Sequence, residues 1–261
     1  MTTPLHRRIR GEGPLLLIVQ GGFGNAEHTE GLVEALIDDY TVVTYDRRGL
    51  SRSPSSSGPF TISDHADDAA RLLAELTDEP AYVLGCSIGA VVGLDLAARH
   101  PDKLRHLLAH EPPALRVLPE ARRAEAIRAH EDVEGAFRAH GPGAALPKLF
   151  ALIGADLTPG QAPRKPDPHQ VSDLMSFLAN DFPGVRGHHL DLDALRRTAS
   201  RITVGVGATS AGLTDHECAR ALAEHLRADP VEFPGGHGGA ATHPAAFAAT
   251  LRSVLVAAAT T

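Results

Sequence analysis

The chain has 261 residues, of which 43% are hydrophobic, and this length allows one large core or a core with a smaller inserted unit. Its formal net charge is −7 and it has no block of basic residues, which argues against a nucleic-acid partner. No stretch approaches the ~20 apolar residues of a membrane span, and no signal peptide is visible. Two cysteines, Cys86 and Cys218, are too few for a disulfide framework, so we expect a reducing, cytoplasmic location.

Short apolar runs alternate with helical patterns in the first part of the chain and again after residue 195. The predicted strands are residues 15–20, 41–45, 82–84, 104–109, 202–206 and 230–233. The predicted helices between them are residues 26–37, 63–76 (with Ser63 as N-cap), 90–98 and 244–257. This alternation predicts an α/β fold with a mostly parallel central sheet flanked by helices.

The alternation stops between about residues 113 and 195, where no strand-like run occurs and residues 120–139 form the clearest helix. We interpret this stretch as a helical cap inserted into a core formed by residues 1–112 and 196–261. Side chains within the cap are candidates for the wall of a substrate pocket, although helical spacing is equally typical of cap packing. These candidates are Phe150, Leu152, Leu174, Met175, Leu178 and His188.

Residues 85–89 read Gly-Cys-Ser-Ile-Gly and lie where an apolar strand passes into a helical pattern. Gly-x-Ser-x-Gly at such a corner is typical of the nucleophile elbow of the α/β-hydrolase fold. The sharp turn presents the Ser87 hydroxyl at the carboxyl end of the sheet, and glycines at 85 and 89 remove Cβ atoms where strand and helix pass closely. The pattern predicts Ser87 as a nucleophile; a structural glycine-rich turn is the alternative.

A serine hydroxyl needs an adjacent base, which in this fold is a histidine after the last strand. His237, within Phe-Pro-Gly-Gly-His-Gly-Gly, has that position; the alternative is a loop histidine without a role, since the chain has 15 histidines. An oxyanion hole needs backbone N–H donors. We expect them from Ile88, next to the nucleophile, and from Gly22 in the first glycine loop. Phe23 is the alternative second donor and a pocket candidate.

The acidic partner of the histidine is ambiguous, because the segment after residues 202–206 has no carboxylate before Asp215. Asp215 opens a predicted helix with Thr214 as N-cap, where the helix dipole favours an acidic side chain without any catalytic role. Glu111 follows a buried strand and precedes two prolines, and a buried carboxylate is costly unless it is paired. It could orient His237, or it could be a structural glutamate that caps a neighbouring loop or pairs with an arginine.

With these motifs, the chain resembles the α/β-hydrolase superfamily over nearly its whole length, and within it is similar to the zearalenone lactonases. The matching segments are Gly-Cys-Ser-x-Gly-Ala at 85–90, His110-Glu111, the acid-free segment 204–209, and the His237 loop that ends in Thr242-His243-Pro244. The resemblance implies that Glu111 is the triad acid and that Gly22 and Ile88 are the oxyanion donors. Those lactonases use a cap tryptophan, whereas this chain has no tryptophan.

Together these observations predict a serine hydrolase that cleaves a carboxylic ester or lactone through an acyl-enzyme, with zearalenone-type macrolactones as one substrate class. Ser87, His237 and Glu111 form the expected triad, and no metal or organic cofactor is implied. The expected partner is a small-molecule substrate, with no nucleic acid and no membrane. The alternative is a non-hydrolytic binding protein, or an isomerase or cyclase, because one fold hosts many functions.

Overall fold

A computed structural model describes residues 4–22, 24–53, 60–154 and 168–259. Its strands, in chain order, are β1 (Arg7–Arg10), β2 (Leu15–Val19), β3 (Thr41–Tyr45), β4 (Ala81–Cys86), β5 (Leu104–His110), β6 (Ile202–Gly207) and β7 (Val231–Phe233). They form one sheet in the order β1-β3-β2-β4-β5-β6-β7, in which only the edge strand β1 is antiparallel to its neighbour. The predicted mostly parallel sheet is confirmed.

Helices cover both faces of this sheet. In chain order they are α1 (Glu30–Leu36), α2 (Ile62–Leu76), α3 (Ile88–Arg99), α4 (Glu120–His140), α5 (Pro142–Ile153), α6 (Pro168–Ser176), α7 (Phe182–Gly187), α8 (Leu192–Arg197), α9 (Thr214–Leu226), α10 (Gly239–Thr242) and α11 (Pro244–Ala259). A π-helix, Phe177–Asp181, joins α6 to α7. Among the described residues, no helix is both long enough and apolar enough to cross a membrane.

Alternate residues of β2 belong to two different apolar clusters, as a strand buried on both faces requires. Leu17 and Val19 pack in the cluster that contains residues of α2, α3 and α9. Leu16 and Ile18 pack in the cluster that contains residues of α1 and α11. The core therefore consists of two layers, one on each side of the sheet, and the carboxyl ends of the parallel strands all open at the same edge.

Sequence patterning missed β1, because its four residues include three arginines and lack an apolar run. The strand lies at the edge of the sheet, where one side needs no apolar burial and charged residues are common. Two of its arginines pair with α1: Arg8 Nη1 lies 2.6 Å from Glu30 Oε2, and Arg10 Nη1 lies 2.7 Å from Glu34 Oε1. Tertiary ion pairing and backbone pairing thus form a strand that hydrophobic periodicity could not reveal.

Helix ends differ from the predictions by up to four residues. The second helix begins at Ile62, and its N-cap is Thr61 rather than Ser63, because Thr61 and Asp64 form a reciprocal capping box. Thr214 is the first residue of α9, not its N-cap. The first helix is shorter than predicted, since residues 26–29 form turns ahead of Glu30. Ser, Thr and Asp often occur together at such ends, so pattern alone cannot choose the capping residue.

The described part of the segment between β5 and β6 is mainly helical and contains no strand. Several of its apolar side chains, including Leu149, Leu178 and Leu195, join the same buried cluster as the sheet. The division into a core of residues 1–112 and 196–261 and a cap of residues 113–195 stays a prediction.

Candidate active site

Ser87 occupies the sharp corner between β4 and α3. Its backbone has φ 54° and ψ −123°, a conformation that L-residues rarely adopt. Its N–H donates to the carbonyl of His110 on β5, at 2.9 Å. A Cβ at Gly85 would overlap the carbonyl oxygen of Gly89, and a Cβ at Gly89 would overlap that of Val19. Glycine is therefore required at both positions for the helix to start this close to the sheet.

The side chains of Glu111 and His237 meet behind this corner. Nδ1 of His237 lies 2.9 Å from Oε2 of Glu111, and because a carboxylate only accepts, the ring donates its Nδ1 hydrogen. The other carboxylate oxygen, Oε1, accepts from the N–H of Gly207 at 2.8 Å and from the hydroxyl of Ser210. Glu111 has no exposed area, so these donors, together with the ring of His216, whose Nδ1 lies 3.5 Å from Oε1, take the place of water around its charge.

Backbone geometry at Glu111 holds the carboxylate in this position. Its φ is 45°, in the left-handed region that is unusual for a residue with a side chain, and its N–H donates to the carbonyl of Gly205 on β6 at 3.0 Å. Burial raises the pKa of Glu111, but the donors from His237, Ser210 and Gly207 outweigh burial and lower it to about 2. The carboxyl therefore stays ionised throughout the physiological range.

A second carboxyl group, that of Asp215, lies on the opposite side of the histidine ring. Its Oδ2 is 3.5 Å from Nε2 of His237, and its side chain is only 4% exposed. Asp215 thus does not contact Nδ1, the nitrogen that is hydrogen-bonded to Glu111. Burial raises the pKa of Asp215 to about 6.

His237 is bracketed by these two carboxyl groups, which determine its charge state. Burial lowers the pKa of His237, but the hydrogen bond with Glu111 and the negative charges of Asp215 and Glu111 outweigh burial. The pKa of the ring therefore lies above its ordinary value of 6.5.

Gly22 and Ile88, the two expected oxyanion donors, line the same cavity as Ser87. Ile88 is the first residue of α3, so its N–H has no acceptor within the helix. Gly22 has φ 38°, in the left-handed region, and its carbonyl accepts a hydrogen bond from the guanidinium of Arg47. Phe23, the alternative donor and pocket candidate, lies outside the described residues.

Arg47 is fully buried and ties the glycine loop to the helical segment. Besides the Gly22 carbonyl, its guanidinium donates to the Gln20 carbonyl at 2.6 Å and to Oδ2 of Asp181 at 2.9 Å. Oδ1 of Asp181 lies 3.0 Å from Nε2 of His65. Burial raises the pKa of Asp181, but the charge of Arg47 and the contact with His65 hold it below its ordinary value. This buried cluster fixes the loop that carries Gly22.

The corner opens into a cavity of about 580 Å³ whose wall is mostly apolar. Ser87, His237, Asp215, Gly22 and Ile88 contribute to one end of it. Much of the apolar part of the wall comes from the helical segment, which contributes Leu149, Phe150, Leu152, Ile153, Phe177, Phe182 and Val185. A mostly apolar cavity with a few convergent polar groups is typical of a small-molecule site.

The six pocket candidates from the helical segment have different locations in the fold. Phe150 and Leu152 line the cavity. The other four candidates are not among the described residues of the cavity wall. Leu174 and Leu178 are buried in the apolar core, and Met175 is 41% exposed at the surface. His188 lies 3.3 Å from Asp95 and lines a separate cavity of about 150 Å³.

Several cavity residues were not selected as pocket candidates from the sequence. They are His28, His130, Phe177, Phe182, Val185, Thr209 and His243, together with Asp215. Three of them, Phe177, Phe182 and Val185, have the same helical apolar spacing as the candidates that were selected, so their signal existed but was not distinctive. His28 and His130 have no neighbouring motif that would separate them from the other histidines.

Comparison with known proteins gives consistent relatives. A family described as alpha/beta hydrolase fold matches residues 14–147. The uncharacterized hydrolase YraK of Bacillus subtilis is 36% identical over 257 residues, covering 96% of this chain and 92% of that protein. A thermophilic esterase from Thermogutta terrifontis superposes with a TM-score of 0.76 at 21% identity, covering 97% and 93% of the two chains. The enol-lactonase of Burkholderia xenovorans LB400 superposes with a TM-score of 0.72 at 24% identity, covering 97% of each chain. At these identities the two structures show the fold alone.

Proposed function

Because the chain belongs to the α/β-hydrolase fold family, we propose that it is a serine hydrolase that cleaves carboxylic esters or lactones through an acyl-enzyme. One observation carries the proposal: the Glu111–His237 hydrogen bond lies at the cavity that also contains Ser87 on its strained corner. A serine, a histidine and a buried acid in this arrangement can activate the serine hydroxyl at neutral pH.

In the proposed reaction, Nε2 of His237 takes the hydroxyl proton as Ser87 Oγ attacks the substrate carbonyl. The backbone N–H groups of Gly22 and Ile88 stabilise the oxyanion that forms. Nε2 then returns the proton to the leaving oxygen, and the same ring nitrogen activates the water that hydrolyses the acyl-enzyme. Glu111 holds the ring in the correct tautomer throughout and stabilises the imidazolium.

The cavity wall supports an apolar acyl or lactone ring as the substrate. Leu149, Phe150 and Phe177 present apolar surface on the side contributed by the helical segment. The proposed substrates include zearalenone-type macrolactones, because the Gly85–Gly89 and His237 segments resemble those of the zearalenone lactonases. With no tryptophan in the chain, aromatic contact would come from phenylalanines such as Phe177 and Phe182, whose ring centroids are 5.7 Å apart.

Labelling with a fluorophosphonate probe tests the serine mechanism directly. We expect the wild type to form a covalent adduct on Ser87, detectable as a mass increase of the intact protein, and the Ser87→Ala variant to form none. Ser55, a serine outside the described residues, provides a control substitution that should leave labelling unchanged. A folded wild type that stays unlabelled would favour the non-hydrolytic alternative. If labelling succeeds, hydrolysis of zearalenone and of short-chain esters should be measured next.

The pH dependence of hydrolysis follows from the raised pKa of His237. The neutral ring is the base, so activity is lost as the ring becomes protonated, and a raised pKa moves that loss to higher pH. We expect kcat/KM to fall on acidification with a midpoint above 6.5, the ordinary pKa of histidine. Asp215→Asn removes one of the negative charges that raise this pKa and should lower the midpoint. A wild-type midpoint below 6.5 would contradict the assignment of His237 as the base.

A further inference from the structure

The proposed mechanism assigns no role to Asp215, a buried residue whose carboxyl group lies at the cavity. It lies in the first turn of α9, and its side chain is 4% exposed. Its Oδ1 is buried without a hydrogen-bond partner among the described residues. A buried carboxyl oxygen without a donor is costly, and proteins usually satisfy such atoms. Because Asp215 lines the cavity, its carboxyl group is the acceptor that a hydrogen-bond donor on a bound ligand would meet there.

The position of Asp215 relative to His237 indicates which part of the ligand supplies that donor. During acyl transfer Nε2 delivers its proton to the leaving atom, so the leaving atom must lie within hydrogen-bond distance of Nε2. Oδ2 of Asp215 is 3.5 Å from the same nitrogen. The carboxyl group is therefore adjacent to the place that the leaving atom occupies.

Leaving atoms differ in whether they carry a hydrogen of their own. An ester oxygen has none, so a carboxylate beside it offers only lone pairs. The nitrogen of a secondary amide or carbamate carries one hydrogen, and when the nitrogen turns its lone pair toward Nε2 this hydrogen points to the side of the line that joins the two nitrogens. An acceptor in that region stabilises the turned nitrogen, which exists in the transition state and not in the planar amide.

We infer that Asp215 is a further catalytic residue that accepts a hydrogen bond from the leaving nitrogen, and that the site hydrolyses amides or carbamates with an N–H at the scissile bond. The inference rests on the proposed serine mechanism. Ser87 Oγ forms a bond to the carbonyl carbon while its proton moves to Nε2. The carbon–nitrogen bond breaks as Nε2 returns that proton to nitrogen, and the amine leaves with its original hydrogen. Asp215 neither gains nor loses a proton.

The ionisation of Asp215 is compatible with an accepting role. Burial raises its pKa to about 6, against the lowering effect of His237, so at pH 8 the group is mainly the carboxylate. An ionised acceptor forms a stronger hydrogen bond than a neutral one.

The test uses three substrates that share the butyryl group and the 4-nitrophenyl ring: 4-nitrophenyl butyrate, butyryl 4-nitroanilide and its N-methyl derivative. They differ only in having O, N–H or N–CH₃ at the leaving position. For Asp215→Leu we expect the ratio of anilide to ester kcat/KM at pH 8 to fall at least about tenfold from its wild-type value. Asp215→Asn, which keeps a neutral acceptor, should have an intermediate ratio, and the N-methyl anilide should not be cleaved by any variant.

Glu217→Gln is the matched control, because Glu217 lies in the same helical turn but pairs with Arg122 outside the cavity. Its anilide-to-ester ratio should equal that of the wild type. An unchanged ratio in folded Asp215→Leu, or a wild type that cleaves the ester but not the anilide, would overturn the inference and leave the serine mechanism intact. Absence of both fluorophosphonate labelling and ester cleavage would instead overturn the proposed function itself, and this inference with it.

Discussion

Replacement of Glu111 by glutamine is expected to lower kcat/KM for a 4-nitrophenyl ester by about 10⁴-fold, with the fold retained. The effect is large because the side-chain amide of the new glutamine can adopt only one orientation. Gly207 N–H can only donate, so the glutamine oxygen must stay at the position of Oε1. The amide NH₂ then faces Nδ1 of His237, which must become the acceptor. The ring proton moves to Nε2, and the base that faces the substrate is lost.

Asp215→Asn provides the comparison for this experiment, since it alters the other carboxyl group at the same ring. The measurement is steady-state kinetics on the ester, with circular dichroism to verify folding. The fold-decrease in kcat/KM for Glu111→Gln should be at least about a hundred times the fold-decrease for Asp215→Asn. Because the pKa of Glu111 is about 2, the difference should persist across the whole range in which the protein is folded. A larger loss in Asp215→Asn would identify Asp215 as the triad acid instead.

Replacement of Arg47 by methionine is expected to reduce the free energy of unfolding by about 3–5 kcal/mol. Methionine fills a similar volume but removes the charge that balances Asp181, whose side chain is 1% exposed. The carbonyls of Gln20 and Gly22 also lose their buried donor. Urea unfolding followed by far-UV circular dichroism would measure the change.

Arg7→Met is the control for the loss of an ion pair as such, because Arg7 pairs with Glu75 at the surface. It should cost no more than about 1 kcal/mol. The double variant Arg47→Met, Asp181→Leu should recover part of the stability, since it removes the uncompensated charge. Equal losses in Arg47→Met and Arg7→Met would show that the buried cluster contributes no more than a surface pair.

The sheet and the candidates at its carboxyl edge could be predicted because their signals are local. Apolar runs identify the buried strands, and glycines at 85 and 89 identify a corner that excludes side chains. Since parallel strands end at one edge, a serine after β4, a glutamate after β5 and a histidine after β7 were expected to converge. The structure places Glu111 and His237 in contact and Ser87 at the same cavity.

Other features depend on tertiary contacts that no local pattern encodes. Sequence could not tell which nitrogen of His237 each carboxyl group approaches, because that depends on the left-handed backbone at Glu111 and on the first turn of α9. It could not separate Phe150, which lines the cavity, from Leu178, which is buried in the core, because both have the same apolar helical spacing. The charged strand β1 depends on backbone pairing with β3 and on Glu30 and Glu34 opposite its arginines, neither of which hydrophobic periodicity encodes.

The main-chain bond from Ser87 N–H to the His110 carbonyl joins the proposed nucleophile to the residue that immediately precedes Glu111. Ser87 and Glu111 therefore belong to one rigid frame made of two adjacent central strands, and their separation changes only if the sheet deforms. His237 is different: it lies on a loop with glycines at 235, 236 and 238, and in the described part of the chain the hydrogen bond to Glu111 is its link to that frame. Any misalignment of the three side chains is therefore expected to begin with a movement of His237, and the hydrogen bond to Glu111 limits that movement.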